Sequence, residues 1–120
     1  MNSVGIIGFG RFGRILGQIL SDDFEVNAFD PVPQKEQFGV KFVDEDDIIK
    51  EKVLFISIPI RDFKNLILDI APRLGKGTTV IDVCSVKVYP VTVMTEALPD
   101  HVGIIATHPL FGPDSISKPD

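Results

Sequence analysis

The sequence predicts an α/β fold: a doubly wound parallel sheet of six strands with helices on both faces. Three observations predict it. Apolar runs of strand length alternate with segments of helical period from one end of the 120-residue chain to the other. A glycine-rich turn, Gly8-Phe9-Gly10-Arg11-Phe12-Gly13, stands between the first strand and the first helix. The fourth run, Val53 to Ile58, is apolar at nearly every position, as expected when both faces of a sheet are covered.

Taken in order, Val4 to Ile7 reads as the first strand. From Phe12, apolar residues recur at Ile15, Leu16, Ile19 and Leu20, one face of a helix, which Ser21-Asp22-Asp23 ends. Glu25 to Phe29 is a second strand closed by Asp30-Pro31. Gln34 to Gly39 reads as a short, weak helix and Val40 to Val43 as a short third strand. Asp44 to Lys50 is a brief acidic helix before the fourth strand. Arg61 to Leu74 carries Phe63, Leu66, Ile67, Ile70 and Leu74 at helical spacing, and Gly75-Lys76-Gly77 turns the chain out. Thr79 to Cys84 is the fifth strand, Pro90 to Leu98 a helix and Val102 to Ala106 the sixth strand. Right-handed crossovers and a glycine loop after the first strand give the Rossmann order 3-2-1-4-5-6. Residues 1–120 suffice for one domain with one core. The stretch His108 to Asp120 holds three prolines, no clear periodicity and no closing helix, so it reads unlike a domain end.

Twelve basic against seventeen acidic residues give a formal net charge of -5, which argues against a nucleic-acid or anionic-membrane surface. It leaves room for a small anion site built from backbone N–H groups. The single cysteine, Cys84, cannot form an intrachain disulfide; it fits a reducing compartment or one indifferent to thiols, and reads as a small buried hydrophobe. Met1-Asn2-Ser3 leads straight into a strand with no signal-peptide pattern, and no apolar run approaches the roughly 18 residues of a membrane span. The expectation is a soluble, cytoplasmic protein with no metal.

The glycine loop has the context that dinucleotide binding requires, a strand before it and an amphipathic helix after it. Gly8 permits the tight turn, Gly10 lets the backbone approach a pyrophosphate, and Gly13 brings the helix close to the strand. Gly17, one turn on, extends that close packing. The helix N-terminus then offers unsatisfied N–H groups to the phosphates. Asp30 ends the second strand, where a carboxylate accepts hydrogen bonds from the adenosine ribose and repels a 2′-phosphate. Pro31-Val32-Pro33-Gln34 follows it without an arginine, which favours NAD; Lys35 keeps NADP open.

Ligands of such sheets bind outside the carboxyl ends of the strands. Here those ends read Ser57-Ile58-Pro59 on strand four, Cys84-Ser85-Val86-Lys87 on strand five and Thr107-His108-Pro109 on strand six. Strands five and six are expected to be neighbours, about 4.8 Å apart, which brings Ser85 and His108 out side by side. Such a pair can share a hydrogen bond while the imidazole exchanges a proton with a substrate hydroxyl. Singly, each has an ordinary reading: Ser85 as a helix cap, Lys87 as a surface charge, His101 as a loop residue.

At these positions the sequence resembles the prephenate/arogenate dehydrogenase family of tyrosine biosynthesis. The resemblance rests on Gly5-Ile6-Ile7-Gly8-Phe9-Gly10, on Asp82-Val83-Cys84-Ser85-Val86-Lys87 and on Thr107-His108-Pro109-Leu110-Phe111-Gly112-Pro113. It covers the cofactor half of the family's two-domain enzymes, and so implies that residues 1–120 are the N-terminal part of a longer two-domain enzyme or else a stand-alone domain. It implies an oxidative decarboxylation in which hydride passes from the ring carbon to the nicotinamide and carbon dioxide departs. His108 would accept the hydroxyl proton, Ser85 would orient His108, and Lys87 would stand behind them. The family's helical C-terminal domain forms a homodimer and reads the substrate carboxylate. The isolated chain is therefore expected to bind nucleotide without useful turnover, and prephenate and arogenate both stay open as substrates. Two other readings compete. One is the cofactor domain of a β-hydroxyacid or imine dehydrogenase or reductase; the other is a non-catalytic NAD-binding module with His108 idle.

Overall fold

A computed structural model describes residues 2–32, 34–37, 39–83 and 88–106, by backbone alone at 88–91 and 106. The strands are β1 (Ser3–Ile7), β2 (Glu25–Phe29), β3 (Val40–Phe42), β4 (Val53–Ile56), β5 (Thr79–Asp82) and β6 (Gly103–Ala106). They form one sheet in the order β3-β2-β1-β4-β5-β6, with every neighbouring pair parallel. This is the expected order. It reverses direction of winding between β1 and β4, so the crevice at their carboxyl ends is the topological switch point.

The helices are α1 (Arg11–Leu20), α2 (Glu45–Ile48), α3 (Ile60–Ile70) and α4 (Val88–Ala97), with a 3₁₀ turn at Ala71–Arg73. Side chains alternate along the strands and feed two cores. Val4 and Ile6 of β1 join Val26, Ala28 and Leu16 under α1. Ile7, Leu54, Ile56 and Val80 join Phe63, Ile67 and Met94 under α3 and α4. Phe63, Ile67 and Ile70 are fully buried, which explains the helical spacing of apolar residues in α3. In α2 the Asp44 carboxylate caps the first turn by accepting the Asp47 N–H at 2.9 Å. In α4, Pro90 sits in the first turn, where a missing N–H leaves no helical bond unmade.

One expected element is corrected. Among the described residues of 34–39 there is no helix. Gln37 and Val40 instead exchange backbone hydrogen bonds of 3.3 and 2.8 Å, and Gly39, at φ 76°, turns the chain directly into β3. The reason is composition: Gln34, Lys35, Glu36 and Gln37 offer no apolar side chain to bury, and a single turn has nothing else to stabilise it. The strands also end sooner than the apolar runs, β4 at Ile56 and β5 at Asp82.

At the edge opposite the switch point, Glu51 ties three segments together. Its carboxylate accepts Ser3 Oγ at 2.7 Å and Asn27 Nδ2 at 2.8 Å, joining β1 and β2 to the turn before β4. Glu51→Ala is expected to lower stability by about 1–2 kcal/mol, because two half-buried donors lose their acceptor. A urea midpoint equal to wild type would contradict this.

Candidate cofactor site

The site begins where β1 runs out. The Gly8 N–H donates to the Phe29 carbonyl at 2.8 Å, and the Ser57 N–H donates to the Ile7 carbonyl at 2.8 Å. These two bonds draw the glycine turn down between β2 and β4. Gly8 adopts φ 96°, and a Cβ there would overlap the Ser57 carbonyl oxygen and lie 2.6 Å from Ile58 Cγ2. Gly13 and Gly17 bring α1 onto the turn; a Cβ at Gly17 would lie 2.8 Å from Val40 Cγ2. Gly10 is different: a Cβ there meets nothing within 4 Å. Its bareness serves no packing among the described residues and leaves open space in front of the helix.

Gly10 is also the N-cap of α1, with no side-chain cap hydrogen bond. A glycine at this position supplies no side-chain acceptor to the first turn of the helix. The same turn carries Arg11 and no acidic residue. A cation at the positive end of a helix is unfavourable by a few tenths of a kcal/mol to about 1 kcal/mol, so this end is built for an anion. A cavity of about 290 Å³ opens there, lined by Gly10, Arg11, Phe12, Ser57, Ile58 and Pro59 among others.

A second cavity of about 350 Å³ continues from Gly8 and Gly10 past Asp30 toward Pro59 and Leu66. The Asp30 carboxylate is held at both oxygens: Oδ2 accepts the Phe9 N–H at 2.7 Å and Oδ1 the Val32 N–H at 2.9 Å. Each oxygen keeps a second lone pair for a ligand hydroxyl. Gln34 Nε2 donates to the Phe9 carbonyl at 3.3 Å, so one peptide unit on either side of Phe9 is tied to the β2 loop. The Phe9 side chain itself is buried, edge to face with Phe42 at 4.8 Å. Arg11 is the one cation among the described residues lining the two cavities; Asp30, Glu45 and Asp62 are the carboxylates.

The expected cofactor residues Gly8, Phe9, Gly10, Arg11, Phe12, Gly13, Asp30, Ser57, Ile58 and Pro59 thus gather at the carboxyl ends of β1, β2 and β4. Ser85, Lys87, His108 and Cys84 lie outside the described residues. Their strands are neighbours as expected, with Asp82 of β5 paired to Ala106 of β6. His101 places Nε2 3.0 Å from the Leu74 carbonyl, a loop role as expected. Sequence reasoning missed Gln34, Glu45, Asp62 and Val83. They come from four separate segments, and only the folded topology brings them to this edge.

Open backbone at a helix N-terminus, at the switch point of a doubly wound sheet, defines the class: a Rossmann dinucleotide-binding domain. The comparisons with known proteins narrow it. Residues 27–118 match the model of the prephenate dehydrogenase nucleotide-binding domain, a span that includes the Ser85 and His108 motifs and leaves the glycine loop outside. The chain is 35% identical over 121 residues to arogenate dehydrogenase 1, chloroplastic, of Arabidopsis thaliana, covering 93% of this chain and 19% of that protein. It is 28% identical over 120 residues to arogenate dehydrogenase 2, chloroplastic, of the same plant, covering 93% of this chain and 34% of that one. Among solved structures, prephenate dehydrogenase from A. aeolicus, in complex with hydroxyphenyl propionate and NAD+, superposes with a TM-score of 0.78 at 20% identity, covering 93% of this chain and 43% of that chain. Synechocystis arogenate dehydrogenase gives 0.76 at 22% identity, covering 92% of this chain and 41% of that chain. At these identities the structures speak for the fold. The chain belongs to the prephenate dehydrogenase nucleotide-binding domain family. It spans 19% of the length of the first of these plant relatives and 34% of the second.

Proposed function

We propose that the chain binds NAD and forms the cofactor half of a dehydrogenase that oxidatively decarboxylates prephenate or arogenate in tyrosine biosynthesis. The observation that carries the cofactor reading is the open backbone at Gly10, in front of an uncapped helix, beside an Asp30 carboxylate held rigid by two N–H groups. The residues fit the group. Gly10 and the first-turn N–H groups of α1 would hold the pyrophosphate, with Arg11 balancing its charge. Asp30 would take the adenosine ribose hydroxyls, and Ser57, Ile58 and Pro59 would flank the dinucleotide.

The nicotinamide, when bound, supplies the two-electron acceptor. The rest falls to side chains. His108 accepts the proton of the substrate hydroxyl, Ser85 orients that imidazole, and Lys87 supports the pair. Aromatisation and loss of carbon dioxide make the reaction downhill, so the residues chiefly have to position the ring against the cofactor. A cytoplasmic homodimer, joined by residues outside the nucleotide-binding fold, is the assembly this reading implies.

Comparative titration tests the cofactor. The chain is expected to bind NAD at least about 10-fold tighter than NADP, because a 2′-phosphate would face the Asp30 carboxylate. Asp30→Asn should narrow that ratio and also destabilise the chain by about 1 kcal/mol, since a backbone N–H loses its acceptor. Clear preference of the wild type for NADP would sink the use made of Asp30.

A further inference from the structure

Resting on the nucleotide reading above, we infer that Gln34 is a positioning residue for the cofactor. It locks the Phe9–Gly10 peptide with the Gly10 N–H turned toward the pyrophosphate. The peptides on either side of that unit are held by other groups. The Phe9 N–H donates to Asp30 Oδ2 at 2.7 Å, and the Gly10 carbonyl takes the Arg14 N–H, the first bond of α1, at 3.0 Å. The Phe9 carbonyl lies one residue too early for α1 to use. Among the described residues its partner is Gln34 Nε2 at 3.3 Å, from a half-buried side chain 25 residues away in sequence.

Glycine makes such a lock necessary. A peptide flips by counter-rotation of the ψ before it and the φ after it, and a glycine in second place removes the Cβ that opposes the turn. The residue left bare for the pyrophosphate therefore also loosens the loop. A flipped peptide would set the Phe9 carbonyl against a phosphate oxygen, acceptor against acceptor. Gln34 opposes this, since only the N–H₂ end of its amide can face a carbonyl. The peptide is trans, so the Gly10 N–H points away from the carbonyl and from Gln34. Gly10 lines both cavities and Gln34 lines neither, so the side chain acts on a ligand through the peptide. The buried Phe9 ring, edge to face with Phe42, fixes the near end about which the peptide would turn.

The test compares ADP-ribose, which carries the pyrophosphate, with adenosine, which does not, by nuclear magnetic resonance titration of the chain. Gln34→Met keeps the reach and removes the donor. It is expected to bind ADP-ribose about 5-fold or more weaker, because a flipped population lowers the competent fraction, and adenosine within about twofold of wild type. Gln34→Asn keeps the amide but falls one methylene short, and should behave as Gln34→Met does. The Gly10 amide proton, which ADP-ribose should move downfield in the wild type, should move about half as far or less in either variant. Equal weakening of ADP-ribose and adenosine would overturn the inference, since it would mark a general loosening of the β2 loop. Wild-type affinity for ADP-ribose in both variants would overturn it as well, while leaving the cofactor reading intact. Failure of the wild type to bind ADP-ribose at all would overturn the cofactor reading and this one together.

Discussion

Gly8→Ala is expected to destabilise the chain by about 3 kcal/mol or more and to abolish NAD binding. Two independent costs add at this position. The backbone sits at φ 96°, which an L side chain adopts only with strain. The new Cβ would also overlap the Ser57 carbonyl oxygen, which belongs to backbone already fixed by the Ser57 N–H to Ile7 bond, so nothing flexible can give way. Relief would require β1 and β4 to part at the switch point, where the dinucleotide is proposed to lie. Urea unfolding measures the first cost and titration with NAD the second. A variant with wild-type midpoint and affinity would show that the turn does not have this geometry.

The second large effect concerns chemistry. In the protein turning over its substrate, His108→Asn is expected to lower kcat by about 10²-fold or more, with NAD affinity little altered. Asparagine keeps a polar group of similar reach but cannot accept and release a proton near neutral pH. Loss of turnover with intact NAD binding is therefore the mark of a proton acceptor. Unchanged turnover would favour a module in which His108 is idle.

Much of this fold was legible because each signal had one physical meaning. Helical spacing of Phe63, Ile67 and Ile70 could only be satisfied by burying one helix face, and all three are buried. The apolar run at β4 required cover on both sides, and the two cores supply it. The stretch 34–37 misled because four polar residues between strands carry no burial signal, and short-range backbone pairing of Gln37 with Val40 decided its shape. The site divided the same way. Gly8, Gly10 and Asp30 were readable since backbone geometry and strand ends announce themselves in sequence. Glu45 and Asp62 were not, because an acid in the first turn of a helix is equally explained by the helix dipole. Only the folded chain brings them to the lining of one crevice.

The electrostatics fit this division. An acidic chain of net charge -5 places its one lining arginine, among the described residues, at the uncapped start of α1 and its carboxylates farther along the crevice. An anionic pyrophosphate would find its complement at the first of these ends.

The most direct test of cofactor binding at the glycine loop is calorimetric titration of Gly10→Ala with NAD, its unfolding midpoint being recorded alongside. Since a Cβ at Gly10 meets nothing within 4 Å, the variant should lose no more than about 1 kcal/mol of stability, the usual difference between glycine and alanine at an N-cap. The methyl group would nevertheless stand where the pyrophosphate must approach, and NAD affinity should fall by about 10-fold or more. A stable Gly10→Ala chain that binds NAD as tightly as wild type would contradict the account.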